Sequence, residues 1–216
     1  MRLAIVGANG RSGQQLVLQA LERGHQVTAV VRDPRWSAPA PARTLRGEVT
    51  DAAFLGQAFA GQDAVLLAIA LRVGSLAPWA RAEVPDLLSR AGPAVAAAAR
   101  AAGVKRVLAI SAGGVGDSFA MMPAFFKAMI RATALRLAYR ELEALEGALL
   151  GSGLEVCLAR PTGLTDGPRT GQVKVCTRLS GRASISRADL AAWMLDQAAA
   201  PAMAGRTPMV TVTGAA

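Results

Sequence analysis

The residues best placed to do chemistry fall into three groups. The first is Gly7, Gly10 and Gly13 with Asn9, Arg11 and Ser12 between them, in the stretch 3–13 that reads LAIVGANGRSG. An apolar strand runs here into glycines and then into a helix. Without a Cβ, glycine lets the backbone turn sharply and come close to a ligand. The helix start adds unpaired N–H groups at the positive end of its dipole. Together these hold a pyrophosphate, with Asn9, Arg11 and Ser12 placed to donate to the phosphates. The spacing differs from the commoner G-x-G-x-x-G, so its weight comes from the strand before it and the helix after it. A purely structural glycine turn is the alternative.

The second group is Arg32, at the end of the next strand. An acidic residue there grips the ribose diol of NAD, whereas a guanidinium forks onto a 2′-phosphate. Arg32 therefore points to NADP, with an ordinary surface arginine as the alternative; Asp33 beside it either pairs with it or caps the turn. The third group is Ser111 and Tyr139. Ser111 closes the run LAIS at 108–111, where a polar side chain faces the ligand crevice of an open α/β fold. It either orients a carbonyl or carboxamide, or caps its own turn. Tyr139, the only tyrosine, is a candidate proton donor. A phenol is activated when a cation four residues on shares its helical face, but Glu143 stands there and would raise its pKa. Helix packing is the preferred reading of Tyr139.

These residues need a scaffold, and the hydrophobic pattern supplies one. Short apolar runs at Leu3–Val6, Gln26–Val31, Ala42–Arg46, Ala64–Ile69, Val104–Ile110 and Leu154–Ala159 read as strands covered on both faces. Helical patterns alternate with them at Ser12–Arg23, Asp51–Phe59, Val84–Ala102 and in a long segment ending near Leu150. The alternation predicts an α/β fold, a Rossmann-like doubly wound parallel sheet. Gly24, Gly103 and Gly153 read as helix ends, and Asp51 as a helix cap. Beyond Arg160 a loop at Thr162–Gly171, extended pieces at Gln172–Thr177 and Ser184–Ile185, a helix Arg187–Ala199 entered through Ser186, and a strand Met209–Val212 follow. Residues of about 160–186 are expected to form a small cap over the C-terminal edge of the sheet, within one domain spanning 1–216.

The bulk composition narrows the function classes. The chain has 216 residues, 52% of them hydrophobic and 18% charged, which argues against disorder. No apolar run is long enough to span a membrane, and the N-terminal strand breaks too soon for a signal peptide, so a cytoplasmic protein is expected. One histidine and two cysteines, Cys157 and Cys176, leave no ligands for a metal centre, and both thiols read as buried and free. The net charge is +9, from 24 Lys and Arg against 15 Asp and Glu. The arginines are scattered, with no basic run and no grouped aromatics, so no nucleic-acid partner is expected. A soft apolar stretch from Phe119 to Met129 forms core, a dimer face, or a wall for a flat substrate; a monomer or homodimer fits either way.

As a set, AIVGANGRSG at 4–13, VVRD at 30–33, GQDAV at 61–65, AGV at 102–104, SGL at 152–154 and SRADL at 186–190 resemble the NAD(P)H-binding atypical short-chain dehydrogenase/reductase family. The likeness is strongest to the biliverdin-IXβ and flavin reductases. It implies NADPH bound through Gly7, Asn9, Gly10, Arg11, Ser12 and Gly13, with Arg32 on the 2′-phosphate and Glu48 and Val49 beside the adenine. It further implies that Ala70, Leu71 and Arg72, then Ser111 and Ala112, and finally Pro161, Thr162, Gly163 and Leu164 line the nicotinamide side. In those reductases an imidazole follows the proline, and here Thr162 does, which speaks against biliverdin itself. The resemblance thus implies hydride transfer from NADPH to a small apolar or aromatic acceptor such as a flavin, a quinone or a similar carbonyl compound. A non-catalytic NADP sensor and an epimerase- or dehydratase-like enzyme with a retained cofactor are the alternatives, the latter disfavoured by the missing lysine after Tyr139.

Overall fold

The computed structural model describes residues 1–176 and 183–205, and the backbone of 209–212. Six strands form one parallel sheet: β1 (Arg2–Val6), β2 (Gln26–Val31), β3 (Arg43–Arg46), β4 (Ala64–Leu67), β5 (Arg106–Ile110) and β6 (Glu155–Ala159). Their order across the sheet is β3-β2-β1-β4-β5-β6. The chain therefore winds outward from β1 in one direction and from β4 in the other, opening a crevice between the C-terminal ends of these two strands.

Residues of one strand alternate between the two faces, and both faces are buried. Leu3 and Ile5 enter the cluster formed with α1 (Arg11–Glu22) and α6 (Arg187–Ala199), where Leu16 and Met194 are fully covered. Ala4 and Val6 point the other way, into the cluster under α2 (Ala52–Phe59), α3 (Leu87–Ala101) and α5 (Leu135–Leu150). That explains why the strands read as continuous apolar runs: neither side faces water. The helix ends match the sequence signals. At the end of α1, Gly24 N–H donates to Leu21 and His25 N–H to Ala20, and the same pair of bonds recurs after α3 at Gly103 and Val104. Asp51 caps α2 by accepting from Ala53 and Phe54 N–H.

The long helical segment expected to end near Leu150 is broken into pieces. It consists of a 3₁₀ helix at Gly116–Met121, α4 (Ala124–Ala132) and α5. The break at Thr133 and Ala134 has no glycine or proline; it is held from outside, because Ala134 N–H donates to Leu76 O of the segment after β4 and Ala134 is fully buried. Likewise the expected loop at Thr162–Gly171 contains a strand, β7 (Gly163–Thr165), paired with β9 (Ser184–Ser186). A second small ladder joins β8 (Val173–Cys176) to β10 (Met209–Val212). Thr177, at the end of one expected extended piece, lies outside the described residues.

Candidate functional site

The loop between β1 and α1 sits at the mouth of the crevice. Gly7 has φ +79°, and a Cβ there would lie 2.6 Å from the carbonyl oxygen of Ala68, just past β4. A Cβ on Gly13 would lie 2.1 Å from Gly7 O. Both positions exclude any side chain, Gly7 because β1 and β4 pinch it and Gly13 because the helix packs on its own entry loop. Gly10 is the helix N-cap, without a side-chain cap and without an acidic residue in the first turn of α1. Gln14 N–H reaches Gly10 O, but the N–H groups of Arg11, Ser12 and Gly13 have no hydrogen-bond partner among the described residues. A helix start with open donors and no competing carboxylate fits a bound phosphate chain.

Arg32 leaves the end of β2 as an exposed residue with no ion pair or hydrogen bond among the described residues. Its neighbour Asp33 turns away: it accepts from Arg35 N–H at 2.9 Å and lies 3.8 Å from the Arg35 guanidinium. Of the two expected roles for Asp33, capping the turn is the one found. Glu48 and Val49 follow β3 at the same end of the sheet, Glu48 exposed and Val49 against the core. Arg11 is not free. It pairs with Asp166 at 2.9 Å, and Arg187 holds the same carboxylate at 2.6 Å, so the segment after β7 is tied to the glycine loop.

On the other side of the crevice, Ser111 is buried, and its Oγ has no hydrogen-bond partner among the described residues. It does not cap its own turn. That task belongs to Ser118, whose hydroxyl accepts from Gly114 N–H at 2.9 Å and donates to Val115 O at 2.7 Å. Tyr139 donates its hydroxyl to Gly113 O at 3.0 Å, and burial raises its pKa. The phenol thus fastens the loop that begins at Ser111, two residues beyond it. Gly113 N–H in turn donates to Pro161 O at 2.8 Å, so the segments following β5 and β6 run side by side. Ala70 and Arg72 are exposed and Leu71 packs on the core. Pro161 is buried and Gly163 and Leu164 enter β7.

Sequence reasoning assigned no role to Arg160. It is 1% exposed at the end of β6, and all three guanidinium nitrogens are used: Nε bonds Glu146 at 2.9 Å, one terminal nitrogen bonds Glu146 at 2.5 Å and the other Asp117 at 2.6 Å. A charged residue closing an apolar strand was the only available signal, since its partners lie 14 and 43 positions away. Asp189 was likewise unassigned. Burial alone would push its carboxyl up, but hydrogen bonds from Gly171, Thr170 and Ser186 outweigh it and hold the pKa below the usual value. Cys157 is buried, and burial pushes its thiol up to about 12, so it is inert.

A cavity of about 460 Å³ opens at the opposite end of the sheet, among Arg2, His25, Thr28 and Gln62. It lies at the N-terminal ends of the strands, away from the crevice where this fold binds ligands. Among the described residues no helix is long and apolar enough to cross a membrane.

Comparison with known proteins agrees with this geometry. A family model described as NAD(P)H-binding matches residues 7–201. The solved structure of ChuY, described as an anaerobillin reductase from Escherichia coli O157:H7, is 23% identical with a TM-score of 0.79, and the match covers 99% of this chain and 98% of that one. ChuY from E. coli strain CFT073 is 24% identical, again with a TM-score of 0.79 and coverage of 99% and 98%. A short-chain dehydrogenase/reductase from Veillonella parvula DSM 2008 is 17% identical at a TM-score of 0.78, covering 99% and 95%. At these identities the likeness is one of fold.

Proposed function

The chain belongs to the NAD(P)H-binding family, and from that premise we propose that it is an NADPH-dependent oxidoreductase acting on a small apolar or aromatic acceptor such as a flavin, a quinone or a related carbonyl compound. The observation that carries this reading is the hydroxyl of Ser111: buried, unpartnered and at the C-terminal tip of β5. A buried hydroxyl without a partner costs stability, so its retention points to a partner supplied by a ligand. That one ChuY structure of the same fold is described as that of a reductase is consistent with it.

A bound nicotinamide would supply the hydride, and the accompanying proton would come from solvent. The protein positions the reactants. The open N–H groups of Arg11, Ser12 and Gly13 would hold the pyrophosphate, and Arg32, left free by Asp33, would hold a 2′-phosphate. Ser111 would orient the carboxamide or the acceptor carbonyl. With Tyr139 engaged by Gly113 and Glu143 in place of a lysine, the described residues around Ser111 offer no poised acid, which suits acceptors that need little beyond positioning. The same feature favours a second reading, a non-catalytic NADP sensor.

Stopped-flow oxidation of NADPH with FMN, FAD and a panel of quinones separates the two. Oxidation of bound NADPH by at least one acceptor is expected; tight NADPH binding with no acceptor reduced would overturn the oxidoreductase reading. In the same assay Arg32→Ala should weaken NADPH binding about 10-fold or more and leave NADH nearly unchanged, as loss of a charge-assisted contact does. Equal loss for both nucleotides would remove Arg32 from the 2′-phosphate.

A further inference from the structure

Two segments that leave the C-terminal edge of the sheet are tied to each other. The first follows β4 and forms a loop closed by a bridge between Val73 and Ala82. Its Leu76 O accepts from Ala134 N–H at 3.3 Å, and its Pro78 O from the Arg136 guanidinium at 2.7 Å. The second follows β5 and contains α4 and the start of α5, where Ala134 and Arg136 lie. Both carry large apolar side chains into solvent. Trp79, 83% exposed, and Phe125, 73% exposed, are the two exposed aromatic residues among the described ones, and Leu76 is 54% exposed. The solvent face of α4 consists of Ala124, Phe125, Ala128, Arg131 and Ala132, while Ile130 turns inward. A helix face turned to water is ordinarily polar. This one is apolar, with a single cation.

The charge on both segments has one sign. Residues 70–82 and 118–140 hold six cations, Arg72, Arg81, Lys127, Arg131, Arg136 and Arg140, and no Asp or Glu. None of the six forms an ion pair among the described residues. Lys127 and Arg136 donate only to carbonyls. From exposed aromatic tips set among unpaired cations we infer that this face docks the protein on an anionic lipid bilayer. A second copy is a poor occupant, because face-to-face contact would set these cations against one another. A protein partner grips its anchors in matched pockets. A bilayer surface needs none: protruding rings enter at headgroup level, and arginines attract the anionic headgroups around them. Among the described residues no helix is long and apolar enough to cross a membrane, and the docking inferred is peripheral. It goes beyond the oxidoreductase reading, which gives it a use: a long-chain quinone dissolves in the bilayer, and both segments start at the sheet edge where the crevice opens.

Co-sedimentation of the full chain with vesicles tests the docking. One set is phosphatidylcholine alone, and the other is equal parts phosphatidylcholine and phosphatidylglycerol. The anionic vesicles should bind at least about 10-fold more tightly, since each cation near such a surface adds to the attraction. Added salt should shrink that preference. Trp79→Ser/Phe125→Ser should weaken binding to the anionic vesicles about 10-fold or more, by removing the apolar area that enters the interface. Both side chains are exposed, so thermal unfolding of this variant should match the wild type. Arg81→Gln/Arg131→Gln should narrow the preference for anionic vesicles. Absence of binding to anionic vesicles overturns the docking, and so does binding that either variant leaves unchanged. Retention on polyglutamate without vesicle binding, or self-association that Trp79→Ser/Phe125→Ser abolishes in place of it, assigns the face to a protein and also overturns it. NADPH oxidation by menadione in solution and by a long-chain ubiquinone in the vesicles is measured alongside. Vesicle binding with neither quinone reduced supports the docking and removes quinones from the acceptor class. Menadione reduced without vesicle binding overturns the docking and leaves the oxidoreductase reading intact.

Discussion

The two sides of the crevice are built by different means. On the side of β1 and α1 the surface is main chain: open N–H groups, with glycines whose hydrogens are the only substituents that fit. Across it, around β5, β6 and α5, the surface is side chains that hold one another. Arg160 bonds Glu146 and Asp117, Tyr139 bonds Gly113, and Ser118 closes the turn that leaves Ser111 unpartnered. A main-chain cradle recognises what all nicotinamide nucleotides share. A side-chain wall can change its occupant by substitution, and this is where a member of the family acquires its own acceptor.

The difference is broken most severely at Arg160. Replacing it with Ala strands Glu146, 5% exposed, as a buried and uncompensated charge. Breaking such a pair typically costs about 3–5 kcal/mol. Most of that belongs to Glu146, since Asp117 is 57% exposed and its pairing is screened by water. Urea denaturation should show the loss, and Glu146→Leu with Arg160→Met should recover much of it. If Arg160→Ala unfolds at the wild-type denaturant concentration, the side-chain wall is not held by this cluster.

Gly13→Ala tests the opposite side. The added Cβ meets Gly7 O at 2.1 Å, and backbone on both sides cannot yield. Overpacking of this kind costs roughly 1–3 kcal/mol of stability, smaller than at Arg160. Its effect on function should be more complete, because the shifted loop no longer aims its N–H groups at one point. NADPH binding, followed by nucleotide fluorescence, should fall at least 10-fold in Gly13→Ala. An unchanged affinity would mean that the phosphates lie elsewhere.

The same division explains what could be read from the sequence. The cradle was legible because every element of it is local: an apolar strand, glycines at fixed spacing and a helix within residues 2–22. The sheet was legible for the related reason that strands buried on both faces are uniformly apolar, as Leu3 to Val6 are. The side-chain wall was not. Arg160 and Asp117 are 43 positions apart, and the end of α4 is set by a carbonyl at Leu76 rather than by any helix-breaking residue nearby. Ser111 was found by its place at a strand tip, but only the packing around it shows that Ser118 relieves it of capping. Long-range side-chain pairing leaves no periodic trace in a single sequence.

The smallest expected effect is the most discriminating. Ser111→Ala removes a hydroxyl that is buried without a partner. Leaving such a group unsatisfied costs about 1–3 kcal/mol, so its removal should stabilise the protein by around 1 kcal/mol once the small void is counted. In thermal unfolding that is a shift of a few degrees upward, as about 2–4 °C per kcal/mol is usual for a chain of this size. NADPH oxidation should fall in the same variant. A gain in stability with a loss of turnover is the signature of a group kept for a ligand rather than for the fold. A lower melting temperature would place Ser111 among the structural contacts of the wall, and the side-chain half of the crevice would then have no group reserved for chemistry.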